Sequence, residues 1–333
     1  MADKKLIKLN ANENFYGCSP KVVSFIKKNA HIVSSYPNYT PEKLEQAIAQ
    51  KLNVSTNCVA VGAGSVRIID GILQSLVKPE NEILIFENSF VAYYQLADIH
   101  QIKYKLIPQH QFVCKLENVI PYVTKKTKLV FIANPNNPTG TAITHNELVQ
   151  FINKIPSSVL VVVDEAYIEY ATQKNIAKPL SLISKHKNIV VVRTFSKAYG
   201  LAGLRIGYVI ADEKIIAQLK NNRIPFTINC FAEKAALTAL SDETFLYSCV
   251  QKNKTEKEFL FSALKRKGYQ VVPSEANFLF VYFKKEEEKE KVYHALLDKN
   301  LVVCNLKIFG QEKCLRIGIG DRKINKQIIA SMV

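Results

Sequence analysis

Four polar segments carry side chains that could do chemistry, and each follows a run of β-branched residues. They are GAGS at residues 62–65, NPNNPTG at 134–140, DEAY at 164–167 and RTFSKAYG at 193–200. A glycine-rich turn before a helix can bind an anion through free backbone N–H groups. A carboxylate at the end of a buried strand, such as Asp164, needs a cationic partner. The lysine of the last segment, Lys197, could act as a nucleophile.

Each segment taken alone also has an interpretation without this chemistry. The first could be a tight turn or a dinucleotide-binding fingerprint, although Arg67 stands where that fingerprint needs a third Gly or Ala. The asparagines and prolines of 134–140 are also typical of a plain turn. Asp164 could cap a helix or bind a metal, but neither a histidine nor a second acidic cluster supports a metal. Lys197 could be one of many exposed amines.

The four segments together meet the requirements of one cofactor, pyridoxal phosphate. Its phosphate requires a helix N-terminus and an arginine. Arg205 in the string GLRIG could be that arginine. Its pyridinium nitrogen requires a carboxylate, because the protonated ring is the electron sink, and its aldehyde requires a lysine for a Schiff base. The rigid amides of 134–140 would lie at the same place, since open parallel sheets bind ligands beyond the carboxyl ends of their strands.

These segments therefore need a sheet whose strands end at one edge. Short apolar runs predict buried parallel strands at 58–61, 83–86, 129–132, 159–163, 189–192 and 206–210. Helical patterns lie between several of them, at 66–76, 92–99 and 146–153. This alternation predicts an α/β fold with a large, doubly wound, mostly parallel sheet and helices on both faces.

The pattern changes after about residue 235. Helices are predicted there at 242–267 and 287–299, and strands at 278–283 and 314–319. The first residues of the chain are too few for a domain of their own. We therefore predict a large domain at 30–235 and a smaller α+β domain formed by 1–29 plus 236–333.

The composition restricts the class of protein. The chain has 333 residues, 48% of them hydrophobic, which is enough for a sizeable core in each of about two domains. The formal net charge of +16 suits small anionic substrates, but acids are interspersed with the bases, so neither a nucleic-acid surface nor a membrane surface is predicted. The longest apolar run, 159–163, is too short to cross a membrane. The seven cysteines form no C-x-x-C pair and no secretory segment is present, which predicts a reducing cytoplasm.

Six strings, spread over nearly the whole chain, carry a family resemblance. They are LNANEN at 9–14, SYP at 35–37, NPNNPTG at 134–140, VDEAY at 163–167, RTFSKAYGLAGLR at 193–205 and CLRI at 314–317. In this order they are similar to the motifs of the fold-type I pyridoxal-phosphate aminotransferases. Within that family, the chain resembles the histidinol-phosphate aminotransferase group.

The resemblance implies a role for each matching residue of the cofactor site. Lys197 would form the Schiff base and later move the proton at the substrate Cα, and Asp164 would pair with the pyridinium nitrogen. Tyr167 and Asn137 would bind the phenolic oxygen of the cofactor. The phosphate would be held by Gly64, Ser65, Val66, Thr194, Ser196 and Arg205. Phe90 would lie over the pyridine ring.

The resemblance also implies a substrate side and a partner subunit. Arg316 would bind the acidic group of the substrate, and Asn12 and Tyr36 are expected to contact the substrate as well. Tyr36 resembles a residue that reaches the cofactor phosphate of the neighbouring subunit. The expected assembly is therefore a homodimer with shared active sites.

Three departures from the family pattern concern mainly the substrate. Val66 and Arg67 stand where the group has two acids, and Cys304 stands where it has an arginine that helps to bind the phosphate of histidinol phosphate. Because the chain begins almost at the LNANEN string, the N-terminal arm of the family is expected to be missing. We expect an intact cofactor half and an altered substrate half, with Lys307 and Arg67 as candidates to replace the lost arginine.

The expected activity is exchange of an amino group between glutamate or 2-oxoglutarate and a second amine, nominally histidinol phosphate in histidine biosynthesis. Alternatives are an aminotransferase for aromatic or specialised amino acids and a pyridoxal-phosphate-dependent decarboxylase of an amino-acid phosphate. A different class would be an inactive homologue that only binds the cofactor. The presence of both Lys197 and Asp164 argues against that class.

Overall fold

A computed structural model of the chain describes residues 6–332. Its strands are β1 (Ile7–Lys8), β2 (Val59–Gly62), β3 (Glu82–Phe86), β4 (Lys103–Ile107), β5 (Thr127–Ala133), β6 (Leu160–Asp164), β7 (Ile189–Thr194), β8 (Gly207–Ala211), β9 (Gln270–Val272), β10 (Phe278–Tyr282), β11 (Leu301–Val302), β12 (Cys304–Asn305) and β13 (Cys314–Gly318). Its α-helices are α1 (Pro20–Lys28), α2 (Glu42–Leu52), α3 (Ser65–Leu76), α4 (Ala92–Ile99), α5 (His145–Lys154), α6 (Glu213–Asn221), α7 (Cys230–Ser241), α8 (Glu243–Arg266), α9 (Glu286–Asp298) and α10 (Arg322–Ser331).

A large sheet forms the centre of the fold. In the described part of the chain it has seven strands, in the order β2-β8-β7-β6-β5-β3-β4. Neighbours from β4 to β7 pair in parallel, whereas β8 is antiparallel to both β7 and β2. The prediction of a parallel strand at 206–210 was therefore wrong in direction. The chain between β7 and β8 contains only the short 3-10 helix Ala202–Leu204 and no crossover helix, so the chain returns antiparallel.

Alternate residues of each central strand pack into two separate cores. In β5, Val130 and Ile132 belong to one core and Leu129 and Phe131 to the other, and all four are fully buried. Helices α3, α4 and α6 contribute to the second core, and α2, α5 and α7 to the first. Burial on both faces explains why these strands read as continuous apolar runs. The predicted doubly wound, mostly parallel α/β domain is confirmed.

The C-terminal part forms a smaller α+β body. Its four-stranded sheet, counted over residues 6–332, is antiparallel in the order β12-β13-β10-β9, and β1 pairs in parallel with β11. Helices α8, α9 and α10 cover this sheet, and Leu9 from the N-terminal segment packs in the same core. Val22 of α1 and Ala236 of α7 pack instead in the core of the large sheet. The domain boundaries at residues 30 and 235 remain a prediction.

Within residues 6–332, no helix combines the length and the apolar character that a membrane crossing needs. The longest helix, α8, has 24 residues and carries charged side chains along its length.

Candidate active site

The predicted chemical residues meet in one cavity of about 380 Å³. It lies at the carboxyl edge of the large sheet and is closed by residues of the smaller domain. The predicted cofactor residues in its wall are Ser65, Val66, Phe90, Asn137, Asp164, Tyr167, Thr194, Ser196, Lys197 and Arg205. The predicted substrate residues Asn12 and Arg316 line the same cavity.

Gly64 and Tyr36 do not belong to the cavity wall. Gly64 precedes α3 with φ +89°, and a Cβ there would lie only 2.6 Å from Nη2 of Arg205. The missing side chain therefore lets the Arg205 guanidinium approach the start of α3. Tyr36 is 86% exposed, and its ring lies 5.4 Å from that of Phe226, away from this cavity.

One end of the cavity is built to hold an anion. Helix α3 begins there at Ser65, so its first backbone N–H groups have no partner within the helix. From the end of β7, the Thr194 hydroxyl donates to Oγ of Ser196 at 3.0 Å, and Nη1 of Arg205 donates to the same oxygen at 3.2 Å. A phosphate at this end would meet a helix N-terminus, two hydroxyl groups and a guanidinium.

Asp164 places a buried carboxylate on the floor of the cavity, at the end of β6. Its Oδ2 accepts from the Tyr93 hydroxyl at 2.8 Å, and its Oδ1 accepts from the backbone N–H of Ala166 at 3.1 Å. Both partners are neutral. Burial raises the pKa of Asp164 to about 6, although these two hydrogen bonds act in the opposite direction. A cationic ligand atom would therefore be stabilised here.

The neighbouring acid, Glu165, differs from Asp164 in having a cationic partner. Its side chain points to the other side of the strand and forms an ion pair with Arg193 at 2.8 Å. Burial raises the pKa of the Glu165 carboxyl, and the Arg193 guanidinium lowers it. Glu165 therefore forms an ion pair within the protein, whereas Asp164 forms none among residues 6–332 and is affected by the charge of Lys197 only from a distance.

Three consecutive residues of the N-terminal segment contact the reactive side chains. The Nζ of Lys197 donates to the Ala11 carbonyl at 2.8 Å and lies 5.6 Å from the centre of the Tyr167 ring. The Asn12 amide donates to the Tyr167 hydroxyl at 3.0 Å. Asn10 accepts through its backbone carbonyl from Nη2 of Arg316 at 2.5 Å. The segment therefore spans the cavity from the lysine to the arginine.

Arg316 projects from β13 at the opposite end of the cavity from Arg205. Its Nη1 donates to Oδ1 of Asn137, and its guanidinium lies between the rings of Phe278 and Phe309, at 5.4 and 5.7 Å. The Nε atom is buried and has no hydrogen-bond partner among residues 6–332. A buried donor without a partner is costly, so this end could accept the acidic group of a ligand.

The wall beside Arg316 is apolar. Cys304 on β12 is the cross-strand partner of Arg316 and lines the cavity together with Ile308 and Phe309. Burial raises the pKa of the Cys304 thiol, and nearby Arg316 acts in the opposite direction. The thiol is therefore neutral at physiological pH and supplies no charge to an anionic ligand.

Neither candidate replacement for the missing arginine lines the cavity. The Nζ of Lys307 lies 3.8 Å from a Glu286 oxygen on the outer side of the smaller domain. Arg67 forms an ion pair with Asp70 on the surface of α3. Within the described part of the chain, both lie outside the set of cavity-lining residues.

The asparagine-rich turn at 134–140 fixes the local backbone and also supplies a side chain to the cavity, which are the two roles that the sequence allowed. Oδ1 of Asn134 accepts from the backbone N–H of Ile143 at 2.9 Å. The Asn136 side chain bonds Ser89 and Thr139. These residues fix the turn, and Asn137 is left to line the cavity.

Sequence reasoning missed Tyr93, Asn10, Ile308 and Phe309. Tyr93 lies on α4, and no sequence pattern distinguishes it from an ordinary core aromatic of the predicted helix 92–99. Asn10 acts through its backbone carbonyl, which no side-chain pattern reveals. Residues 6–332 contain no group of three or more His, Cys, Asp or Glu side chains that could hold a metal ion.

Comparison with known proteins decides the family. The sequence matches the family model described as aminotransferase class I and II over residues 4–332. The chain belongs to this family. It is 37% identical over 323 residues to histidinol-phosphate aminotransferase 2 of Carboxydothermus hydrogenoformans, covering 97% of this chain and 89% of the relative. It is 36% identical over 330 residues to histidinol-phosphate aminotransferase of Moorella thermoacetica, covering 99% and 85%.

A solved structure gives the same result. The fold is similar to crystalline histidinol-phosphate aminotransferase from Sinorhizobium meliloti in complex with pyridoxal-5'-phosphate, with a TM-score of 0.91 and 26% identity. The similarity covers 99% of this chain and 90% of that one. The prediction of a fold-type I aminotransferase that depends on pyridoxal phosphate is therefore confirmed.

The residues of the cavity fit this cofactor. Its dianionic phosphate matches the end formed by α3 and Arg205, where a Cβ on residue 64 would already collide with the guanidinium. Its cationic ring nitrogen matches the buried Asp164 carboxylate, which lacks a cation of its own. Lys197 supplies the amine that its aldehyde requires.

Proposed function

We propose that this aminotransferase acts on histidinol phosphate, with glutamate and 2-oxoglutarate as the second substrate pair. The observation that carries the proposal is that one cavity is lined by Lys197 and by two arginines with different surroundings, Arg205 beside the start of α3 at one end and Arg316 beside Asn10 at the other. One end suits the cofactor phosphate, and the other suits the acidic group of each substrate in turn. Relatives with 33 to 37% identity carry the name histidinol-phosphate aminotransferase.

The residues around the cofactor divide the work. Pyridoxal phosphate, when bound, supplies the carbonyl group that takes the amine and the ring that withdraws electrons. Lys197 would hold the cofactor through Nζ, and the same amine would move the proton at the substrate Cα. Asp164 would form an ion pair with the ring nitrogen and so keep it protonated.

Tyr167, held by Asn12, and Phe90 would also contact the cofactor. The Asn12 amide already donates to the Tyr167 hydroxyl, so the hydroxyl keeps its own proton for the phenolic oxygen of the cofactor. Phe90 packs edge-on against Tyr93 with ring centres 5.6 Å apart and offers an apolar surface to the ring of the cofactor. Asn12 thus has a role in positioning Tyr167 beside the substrate contact predicted for it.

The proposal includes a homodimer in the cytoplasm. Tyr36 and Tyr39 lie 5.4 Å from Phe226, and these three exposed rings form an apolar surface that a second copy of the chain could cover. A tyrosine at this exposed position could reach the cofactor phosphate of the partner subunit. The seven cysteines, all within residues 6–332, are free thiols, which suits a reducing compartment.

A second candidate substrate class is favoured by one observation. Cys304, Ile308 and Phe309 form an apolar wall next to Arg316, with no second cation from the described residues at this end. Such a wall suits an aromatic side chain as well as it suits the imidazole of histidinol phosphate. An aminotransferase for aromatic amino acids is therefore the alternative.

Single half-reactions distinguish the two substrate classes. Protein saturated with pyridoxal phosphate is mixed with histidinol phosphate, histidinol, phenylalanine or glutamate, and the conversion of the bound cofactor to its amine form is followed by absorbance. We expect fast conversion with histidinol phosphate and glutamate and slow conversion with histidinol. Fast conversion with phenylalanine and none with histidinol phosphate would establish the alternative. Sedimentation of the same protein tests the dimer.

A further inference from the structure

We propose that Tyr93 is a positioning residue whose hydroxyl keeps the Asp164 carboxylate ionised and turned toward the ring of the cofactor. The proposal rests on the role of Asp164 given above. Its own evidence is the geometry beneath the cavity floor, where a buried tyrosine and a buried carboxylate meet.

The Tyr93 side chain is held in one position. It lies on α4 and is fully buried. Its ring stacks on Phe131 of β5 with centres 4.4 Å apart and an interplanar angle of 2°, and Phe90 meets it edge-on. A ring packed on two sides cannot swing away, so its hydroxyl stays 2.8 Å from Oδ2 of Asp164.

The direction of this hydrogen bond follows from chemistry. A carboxylate only accepts, so the single proton of Tyr93 must point at Oδ2. The Ala166 N–H occupies the other oxygen at 3.1 Å. The Tyr93 hydroxyl and the Ala166 N–H each bind one oxygen, so the plane of the carboxylate is fixed. The remaining lone pairs of the two oxygens are available to a ligand in the cavity that Asp164 lines.

The charged and titratable groups around Asp164 oppose one another. Burial disfavours the charged form most strongly, and the like charge of Glu165 adds to this. The Tyr93 hydroxyl, the Ala166 amide and the positive charge of Lys197 favour it. Burial, and after it the neighbouring Asp164, raises the pKa of Tyr93 well above its ordinary value, and Tyr167 and Cys114 act in the same direction. Tyr93 therefore remains a donor at every physiological pH.

The protein offers a matched pair of variants. Tyr93→Phe keeps the ring, its stacking on Phe131 and almost all of its volume, and it removes only the hydroxyl. Tyr94→Phe removes a hydroxyl from the adjacent position of α4, where the half-buried ring lies 6.5 Å from Tyr104 and lines no part of the cavity. Any loss of packing common to both variants is thereby separated from the hydrogen bond to Asp164.

The first readout uses the protein without cofactor. The Asp164 carboxyl is titrated by ¹³C NMR and assigned with Asp164→Asn. In Tyr93→Phe we expect its pKa to rise by about one unit or more, since a hydrogen bond to a charged group is lost. In Tyr94→Phe we expect no change. Site-specific 3-fluorotyrosine at position 93, a stronger donor, should shift the titration the other way and decides the question if Tyr93→Phe does not fold.

The second readout uses the holoenzyme. With Asp164 partly protonated near neutral pH, Tyr93→Phe should bind pyridoxal phosphate roughly two- to tenfold more weakly and show a lower kcat with little change in KM. The acidic limb of its pH profile should move to higher pH. An Asp164 titration identical in wild type, Tyr93→Phe and Tyr94→Phe would overturn the proposal and leave Tyr93 with packing alone.

The two readouts separate this proposal from the proposed function. If Asp164→Asn binds the cofactor and reacts as the wild type does, Asp164 has no part in the chemistry and the proposed function loses that step. The titration without cofactor would still show whether Tyr93 holds the carboxylate in its charged form.

Discussion

The two ends of the cavity are built in different ways. The cofactor end is formed by residues at or just beyond the carboxyl ends of buried strands of one sheet, namely Ser65, Asp164 and Thr194 to Lys197. The substrate end combines Arg316 and Cys304 of the smaller domain with Asn10 of the N-terminal segment. The hydrogen bonds of Asp164 and Thr194 stay among residues of the large sheet and its connections, whereas those of Arg316 join β13 to Asn10 and Asn137. The chemistry is therefore anchored in rigid strands, and the specificity is placed where residues can change with little effect on the large core.

The two ends also differ in how their charges are satisfied. Asp164 has only neutral partners and so keeps its charge for a ligand. Arg316 is already bound by a carbonyl and an amide oxygen and retains a single unpartnered Nε within residues 6–332. A cofactor thus meets a group in need of a counter-ion. A substrate acid must share Arg316 with Asn10 and Asn137, which points to weaker and more adjustable binding.

Removing the lysine should have the largest effect. Lys197→Ala is expected to abolish covalent attachment of the cofactor and all turnover, because no other lysine lines the cavity among the described residues. Stability should change little, since the bond from Nζ to Ala11 is partly exposed. Borohydride reduction followed by mass spectrometry measures the attachment. The exposed Lys174→Ala serves as the control, and an adduct that persists in Lys197→Ala would identify a different carrier.

Much of the cofactor end could be predicted because its signal is local. A polar residue placed immediately after an apolar strand, as Asp164 is after residues 159–163, is fixed by the chain itself at the ligand-binding edge. The strand β4 was missed because it lies at the edge of the sheet, where Leu106 is 44% exposed and lysines alternate with apolar residues. It therefore lacks the continuous apolar run of its neighbours.

The other residues of the site could not be predicted, because their positions depend on tertiary contacts between distant segments of the chain. Tyr93 reads as an ordinary core aromatic, and only the packing of α4 on β5 brings its hydroxyl to Asp164. The carbonyls of Asn10 and Ala11 act as acceptors, and residue type does not predict such a role because every residue has the same backbone carbonyl. The cross-strand pairing that places Cys304 beside Arg316 required the register of β12 on β13.

The unsatisfied charge at the cofactor end should appear as a pH dependence. Burial raises the pKa of Asp164 to about 6 in the protein without cofactor, and the ion pair needs the carboxylate. Below pH 6, binding must therefore expel a proton, so affinity for pyridoxal phosphate should fall by up to about tenfold per pH unit. Above pH 6 this dependence should vanish. Fluorescence titrations from pH 5 to 8 measure it.

Cofactor affinity can also change with pH because the phosphate of the cofactor titrates. Asp164→Asn separates the contribution of Asp164 from that of the phosphate. The variant should bind more weakly at pH 7 and lack the extra slope below pH 6. Equal slopes for wild type and Asp164→Asn would mean that Asp164 does not take up the proton, and the contrast between the two ends would then lose its electrostatic basis.

Removing the arginine of the substrate end should have a smaller effect than removing the lysine, and this effect should be shared by both substrates. Arg316→Ala loses a charge-assisted hydrogen bond worth about 1.5–3 kcal/mol, so kcat/KM should fall by about 10- to 100-fold for glutamate and for histidinol phosphate alike. Cofactor affinity should remain near wild type. Arg316→Lys keeps the charge without the fork and should recover part of the loss. A fall for glutamate alone would place the phosphate of histidinol phosphate at another group.

The smallest effect is expected at the apolar wall, where the substrate end departs from the family. Cys304→Arg should raise the ratio of kcat/KM for histidinol phosphate over histidinol several-fold, because a second cation would face the phosphate beside Arg316. Without substrate, the new charge lies directly across the strand pair from Arg316, and like charges in such positions repel. The variant should therefore unfold at a lower temperature and regain stability when phosphate is added. Cys304→Ser, of similar size and without charge, should leave the substrate ratio unchanged, and an unchanged ratio in Cys304→Arg as well would show that the wild-type protein already holds the substrate phosphate by other groups.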